Sequence, residues 1–148
     1  MINLEEVLEM WKKDSVIDDM NLDDASKNAA KLHAKYLEFV SVTKLMLKKR
    51  CAEQETLKKD KWLWYMGKMP KEDMDKRGWP YDPFNGLKIM KSDIDYYEKA
   101  DPELQKIDAT VLYLKTTLEA LIEIMETLKW RHSTIRNILE WKKFTSGV

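Results

Sequence analysis

Residues 58–68 read KKDKWLWYMGK, so Lys58, Lys59, Lys61 and Lys68 enclose Trp62, Trp64 and Tyr65 in one short stretch. Lysine ammonium groups neutralise phosphates and release counterions, while aromatic faces stack on unpaired bases. Proteins that hold single-stranded nucleic acid combine the two. Lys48, Lys49 and Arg50 lie just upstream, and residues 44–61 carry seven bases against three acids. A structural account of the same residues competes with this one. Trp62 and Tyr65 stand three apart on one helical face and would belong to a core, with the lysines as a solvated face.

Charge elsewhere gives these lysines no help. Lys plus Arg and Asp plus Glu both number 26, so the net charge is zero and any attraction for a polyanion must be local. Residues 127–148 form a second basic region, with five bases and one acid, whereas residues 1–24 hold eight acids and two bases, a composition suited to a protein partner. Enzymatic chemistry is not expected. There is no GxxxxGK[ST] phosphate loop, and the two histidines, His33 and His132, have no Cys or carboxylate at a distinctive ligand spacing, so no catalytic residue, metal or cofactor is expected. His132 falls on the apolar seam of the last helix and reads as a core or interface residue. Cys51, the single cysteine, has no identifiable base and reads as a surface thiol. Asp14–Asp24 lacks the spacing of a calcium loop. An acidic, amphipathic start unlike a signal peptide, a lone cysteine and no long apolar stretch lead to the expectation of a soluble intracellular protein.

The elements that must position these residues are helical, and the expected fold is all-α, a single domain over 1–148. Leu4, Val7, Leu8 and Trp11 mark a short amphipathic helix ending near Asp14. Leu22, Ala25, Ala29, Leu32, Tyr36, Phe39, Thr43 and Met46 then alternate steps of three and four, a seam that turns polar at Arg50 and Glu53 before Leu57. With Asn21 as N-cap and Gly67 as the left-handed residue after its end, one helix spans about 22–66, or about 65 Å. Pro70, Pro80, Pro83, Gly78 and Gly86 predict a long loop over 67–86 with no regular element, partly docked through Trp79, Tyr81 and Phe84. Ile89, Met90, Ile94 and Tyr97 predict a short helix. Asp101 as N-cap and Pro102 at the first helical position open a last long helix over about 102–143, whose seam runs through Leu104, Ile107, Val111, Leu114, Leu118, Leu121, Met125, Leu128, His132, Ile135 and Leu139. Leu112, Ile122, Ile124 and Ile138 add apolar positions off that seam. Together with six tryptophans they predict coiled-coil-like packing in a homo-oligomer, with Leu114, Leu118, Leu121, Met125, Leu128, Ile135 and Leu139 as the assembly residues. A symmetric oligomer would repeat each basic patch on one surface, turning weak sites into a strong one.

Distributed matches resemble the UvsY family, recombination mediators of T-even-type bacteriophages. LEEVLEMWKKDSVIDDMNL resembles the family's opening helix. NAAKLHAKYLEFVSVTKLMLKK, with its Ala-Lys-Tyr-Leu around Tyr36, resembles the helix that follows. Leu57-Lys58 and Trp64-Tyr65-Met66-Gly67-Lys68 resemble its Leu-Lys-Ala-Arg basic motif and the aromatics and glycine after it, and ADPELQKIDATVLYL resembles the entry to its last helix. The resemblance covers nearly the whole chain, although the Trp- and Pro-rich loop from Met69 to Asn85 is longer than in the family. It implies a homo-oligomeric ring, hexameric or heptameric, that binds single-stranded DNA and helps a RecA-like phage recombinase replace the phage single-strand-binding protein. Such a protein serves phage recombination, repair and replication in the host cytoplasm. The DNA-contacting residues it implies centre on Lys58, with Lys61 taking the role of the motif's arginine if one residue is inserted. The rival expectation is a helical coiled-coil adaptor or structural oligomer without a nucleic-acid role.

Overall fold

The structure, a computed structural model, describes residues 3–147. Among the described residues there are six α-helices and one 3₁₀ turn, and no strand. The helices are α1 (Leu4–Asp14), α2 (Leu22–Tyr65), α3 (Lys71–Arg77), α4 (Ile94–Lys99), α5 (Pro102–Lys129) and α6 (Arg131–Thr145). The all-α expectation holds. Among the described residues no helix is long and apolar enough to cross a membrane.

Local signals account for most of the boundaries. Asn3 caps α1 reciprocally with Glu6: its side chain accepts from the Glu6 backbone N–H, and the Glu6 carboxylate accepts in return. At the other end of α2 the Gly67 N–H donates to the Trp64 carbonyl and the Lys68 N–H to the Leu63 carbonyl, closing the helix through a left-handed Gly67 at φ 72°. Asp101 opens α5 as expected, its carboxylate accepting from the backbone of Glu103 and Leu104. Asn21, the expected N-cap of α2, instead turns its side-chain amide to donate to Asp18 ahead of the helix.

Two expectations are corrected. The segment 67–86 is not irregular throughout, because Pro70 precedes and Gly78 terminates the seven-residue α3. A proline ahead of a helix and a left-handed glycine behind it bracket the element instead of preventing it. The last helix is also not continuous to residue 143. It breaks at Trp130, whose φ of −95° and ψ of 3° end α5, and α6 begins at Arg131. The break moves the apolar seam, so His132 is exposed and not a core histidine; its Nδ1 lies 3.1 Å from the Lys129 carbonyl.

The chain divides into two compact units, one of residues 1–46 and 113–148 and the other of residues 47–112. In the first, Val7 from α1, Tyr36 and Val40 from α2, and Leu121, Ile124 and Leu128 from α5 form a core joined by Trp11, Leu32, Phe39, Leu118 and Met125. Trp11 and Phe39 meet the Tyr36 ring edge-on at 5.6 and 6.0 Å. Tyr36 also donates to Asp14, which takes Lys35 as well. In the second unit Leu57, Trp64, Tyr65, Met69, Trp79, Ile94 and Leu104 form the core, with Phe84 and Tyr97 against it.

This packing corrects the assignment of the assembly residues for those that it buries. Leu121 is fully buried, Leu114 and Leu128 nearly so, and Leu118 and Met125 pack on the first core. Leu114, Leu121 and Leu128 therefore fill the interior of one chain and are not available to a second copy, while Leu118 and Met125 are half-buried. Of the seven, Leu139 is exposed, while Ile135 is half-buried. Most of the large apolar side chains left outside are elsewhere, among them Leu37, Leu45, Leu112, Ile122, Trp141 and Phe144.

Candidate nucleic-acid interface

Carrying the three-four alternation of α2 onward from Leu57 leads to Lys61 and then Trp64, and this face is the buried one. Lys61 is 3% exposed and Trp64 8%. The Lys61 ammonium lies 2.9 Å from Asp101 and 3.4 Å from Glu103, and over the rings of Trp64 and Trp79 at 4.5 and 4.1 Å. Its partners are themselves fixed. Tyr65 donates to Asp101 at 2.6 Å, and the Trp79 indole N–H donates to Glu103 at 2.7 Å. Burial alone would raise the Asp101 carboxyl, but hydrogen bonds from Tyr65, Lys61 and the Leu104 backbone outweigh it and hold Asp101 below the usual carboxylate range. Burial and the Asp101 charge push the Tyr65 hydroxyl well above its ordinary value.

Lys61 and Trp64 are thus corrected as nucleic-acid contacts. A nearly inaccessible ammonium already paired with two carboxylates cannot reach a phosphate. Trp64 packs 5.2 Å from Trp79 and donates to the Pro80 carbonyl at 2.7 Å, which leaves no open face for a base. Together they anchor the aromatic segment that follows α2 to the start of α5.

One residue around the helix the outcome reverses. Lys58, Lys59, Trp62 and Lys68 are exposed. Lys58 makes no ion pair among the described residues. Lys59 lies 3.3 Å from Asp60, which Arg77 also holds, at 2.6 Å. Trp62 is 44% exposed, and the Lys68 ammonium sits 5.1 Å from its ring centroid. Lys48 and Lys49 are exposed, and the half-buried Arg50 pairs with Glu53 at 2.8 Å. The competing structural account puts Trp62 and Tyr65 in the core, and the nucleic-acid account puts Trp64 on the surface; Tyr65 is buried, and the helical phase set by Leu57 carries the information that reverses Trp62 and Trp64.

An open groove of about 470 Å³ adjoins this surface. Glu55, Lys58, Lys59 and Trp62 share one face of α2 and form one side, and Asp95, Glu98 and Lys99 of α4 another, with Leu104 and Asp108 from α5. The acidic side was not foreseen, because nothing in the local sequence relates α4 to Lys58. Burial, with the neighbouring Asp95 charge, raises the Glu98 carboxyl above its ordinary range.

The second basic region is partly committed to the fold. Arg131 is buried and donates to the Val16 carbonyl at 3.3 Å, and its desolvation lowers its pKa against the opposing pull of Asp14. Lys142 donates to the Asp19 carbonyl. No group of His, Cys, Asp and Glu among the described residues could hold a metal ion.

Comparison with known proteins bears on what this surface meets. Residues 10–148 match the family model described as recombination, repair and ssDNA binding protein UvsY. Crystal structures of the bacteriophage T4 recombination mediator protein UvsY are similar in fold. One in lattice type II gives a TM-score of 0.80 at 23% identity, covering 99% of each chain. Another in lattice type I gives 0.77 at 24% identity, over 95% of this chain and 98% of that one. The search of curated proteins finds no match.

Proposed function

Since the chain belongs to the UvsY family of recombination, repair and ssDNA-binding proteins, we propose that it is a non-enzymatic recombination mediator acting in the host cytoplasm. It binds single-stranded DNA as a homo-oligomeric ring, hexameric or heptameric, and promotes loading of a RecA-like recombinase onto DNA covered by single-strand-binding protein. The observation that carries the DNA reading is the exposed set Lys58, Lys59 and Lys68 around the half-open face of Trp62. Cations for phosphates stand beside a ring on which a base can stack. Lys48, Lys49 and Arg50 extend the same basic run along α2.

Self-association is supported by the exposed Trp141 and Phe144 of α6, stacked at 5.6 Å, and by Leu37, Leu45 and Ile122. Repetition around a ring would convert a patch of a few lysines into a continuous track.

Fluorescence anisotropy of a labelled oligothymidine across a salt series tests the reading, with assembly followed by light scattering. The wild type is expected to bind steeply salt-dependently, and Lys58→Ala/Lys59→Ala to bind weakly with its assembly intact. Lys61 is unsuitable for this test because its loss would damage the fold. No binding at low salt by an assembled wild type would favour the structural adaptor.

A further inference from the structure

The groove beside Lys58 holds carboxylates where a site for phosphate alone would hold none, and their partners differ. Asp95 pairs with Lys99 at 2.9 Å, and Asp108 accepts from the Gln54 side chain. Glu98 has no ion-pair partner among the described residues and is half-buried opposite Trp62. Burial and the neighbouring Asp95 charge raise its pKa. An ionised carboxylate only accepts hydrogen bonds, through two oxygens that take paired donors best.

Resting on the mediator reading, the geometry points to a nucleobase subsite in this groove. One base stacks on Trp62, Lys58 and Lys59 take the flanking phosphates, and Glu98 accepts from the Watson–Crick edge of the base. Single-stranded DNA leaves that edge free, and proteins read it in this way once the base is stacked on an aromatic ring. Guanine fits best because its N1–H and exocyclic N2 amine are adjacent donors that match one carboxylate. Thymine fits worst, as its single N3–H is flanked by two carbonyl acceptors that face the same negative charge. The subsite therefore makes a binder of the general single-strand type prefer guanine-containing strands. It also disfavours duplex, in which that edge is occupied and the acidic side of the groove meets a second phosphate backbone.

The test compares three labelled oligonucleotides of equal length by anisotropy at fixed salt: oligothymidine, a repeat of two thymidines and one deoxyguanosine, and the same repeat with deoxyinosine, which lacks the N2 amine. The full chain is used as wild type, Glu98→Gln and Trp62→Ala. Wild type is expected to bind the guanine repeat about five-fold or more tighter than oligothymidine, a bidentate base contact discriminating by at least that factor. The inosine repeat should lie between them. Glu98→Gln should abolish the preference while keeping oligothymidine affinity or raising it, and Trp62→Ala should weaken all three. Equal wild-type affinities, or a preference that survives Glu98→Gln, would overturn the subsite and leave the mediator reading intact. Failure of all three strands to bind would overturn the mediator reading, and the subsite with it.

Discussion

In residues 1–46 and 113–148 the buried side chains are mainly aliphatic, with Val7, Val40, Leu121, Ile124 and Leu128 closing around the Tyr36 ring, which the half-buried Trp11 and Phe39 meet edge-on. In residues 47–112 two indoles instead enclose the ammonium of Lys61, and two carboxylates neutralise it. The first interior is specified by volume and helical period, which many apolar sequences satisfy. The second is specified by direction. Each donor has a particular acceptor, so removing one member leaves a buried charge behind. The same contrast explains why basic residues on neighbouring positions of α2 have opposite fates: Lys58 is a solvated cation, and Lys61 part of the interior.

The comparison is broken most severely by Leu121→Asp. A charge at a fully buried position is expected to cost more than about 4 kcal/mol and to unfold the first unit, seen as loss of helical circular dichroism. A variant that stayed folded and merely dissociated would return Leu121 to the assembly surface. Lys61→Ala should come next, at about 3–5 kcal/mol, since it orphans Asp101 in the second core. Urea denaturation measures it, and Lys61→Met with Asp101→Asn should recover part of the loss.

A smaller effect, of about 1–2 kcal/mol, is expected of Gly67→Ala in a thermal melt. Gly67 has φ 72° with no atom within 4 Å of an added Cβ, so the cost is backbone strain alone.

Acid should weaken both units, the first through Asp14, which Lys35 and Tyr36 hold low, and the second through Asp101. Asp101 titrates below its unfolded value, so its contribution to stability is complete above about pH 4 and disappears as pH falls through the lower folded value. The part of the urea midpoint due to Asp101 should be flat from neutrality to about pH 4 and fall below it. In Lys61→Met, which removes one of the groups that lower the Asp101 pKa, the acid-dependent fall should be shallower. Lys58→Ala should change stability least, by less than about 0.5 kcal/mol, while weakening DNA binding. A large loss of stability there would mean that Lys58 belongs with Lys61.

Much of the helical framework was legible because burial follows the period of three and four. The seam from Leu22 to Met46 and that from Leu104 to Leu128 both turn inward, and the caps at Asp101 and Gly67 stand where their residue types predict. The same period, carried past Leu57, would have placed Lys61 and Trp64 inside. They were read as surface because lysine is rarely buried without partners, and those partners come from residues 79, 101 and 103. The break at Trp130 was hidden for a related reason, since apolar spacing continues across it.

By itself the sequence determined that the chain is helical, where its strongest caps lie and that a cationic, aromatic stretch follows Leu57, because these depend on neighbours within one or two turns. Only the tertiary structure decided which of those cations are free and which carboxylates face them. A side chain's charge is available to a ligand when nothing distant in sequence has already neutralised it.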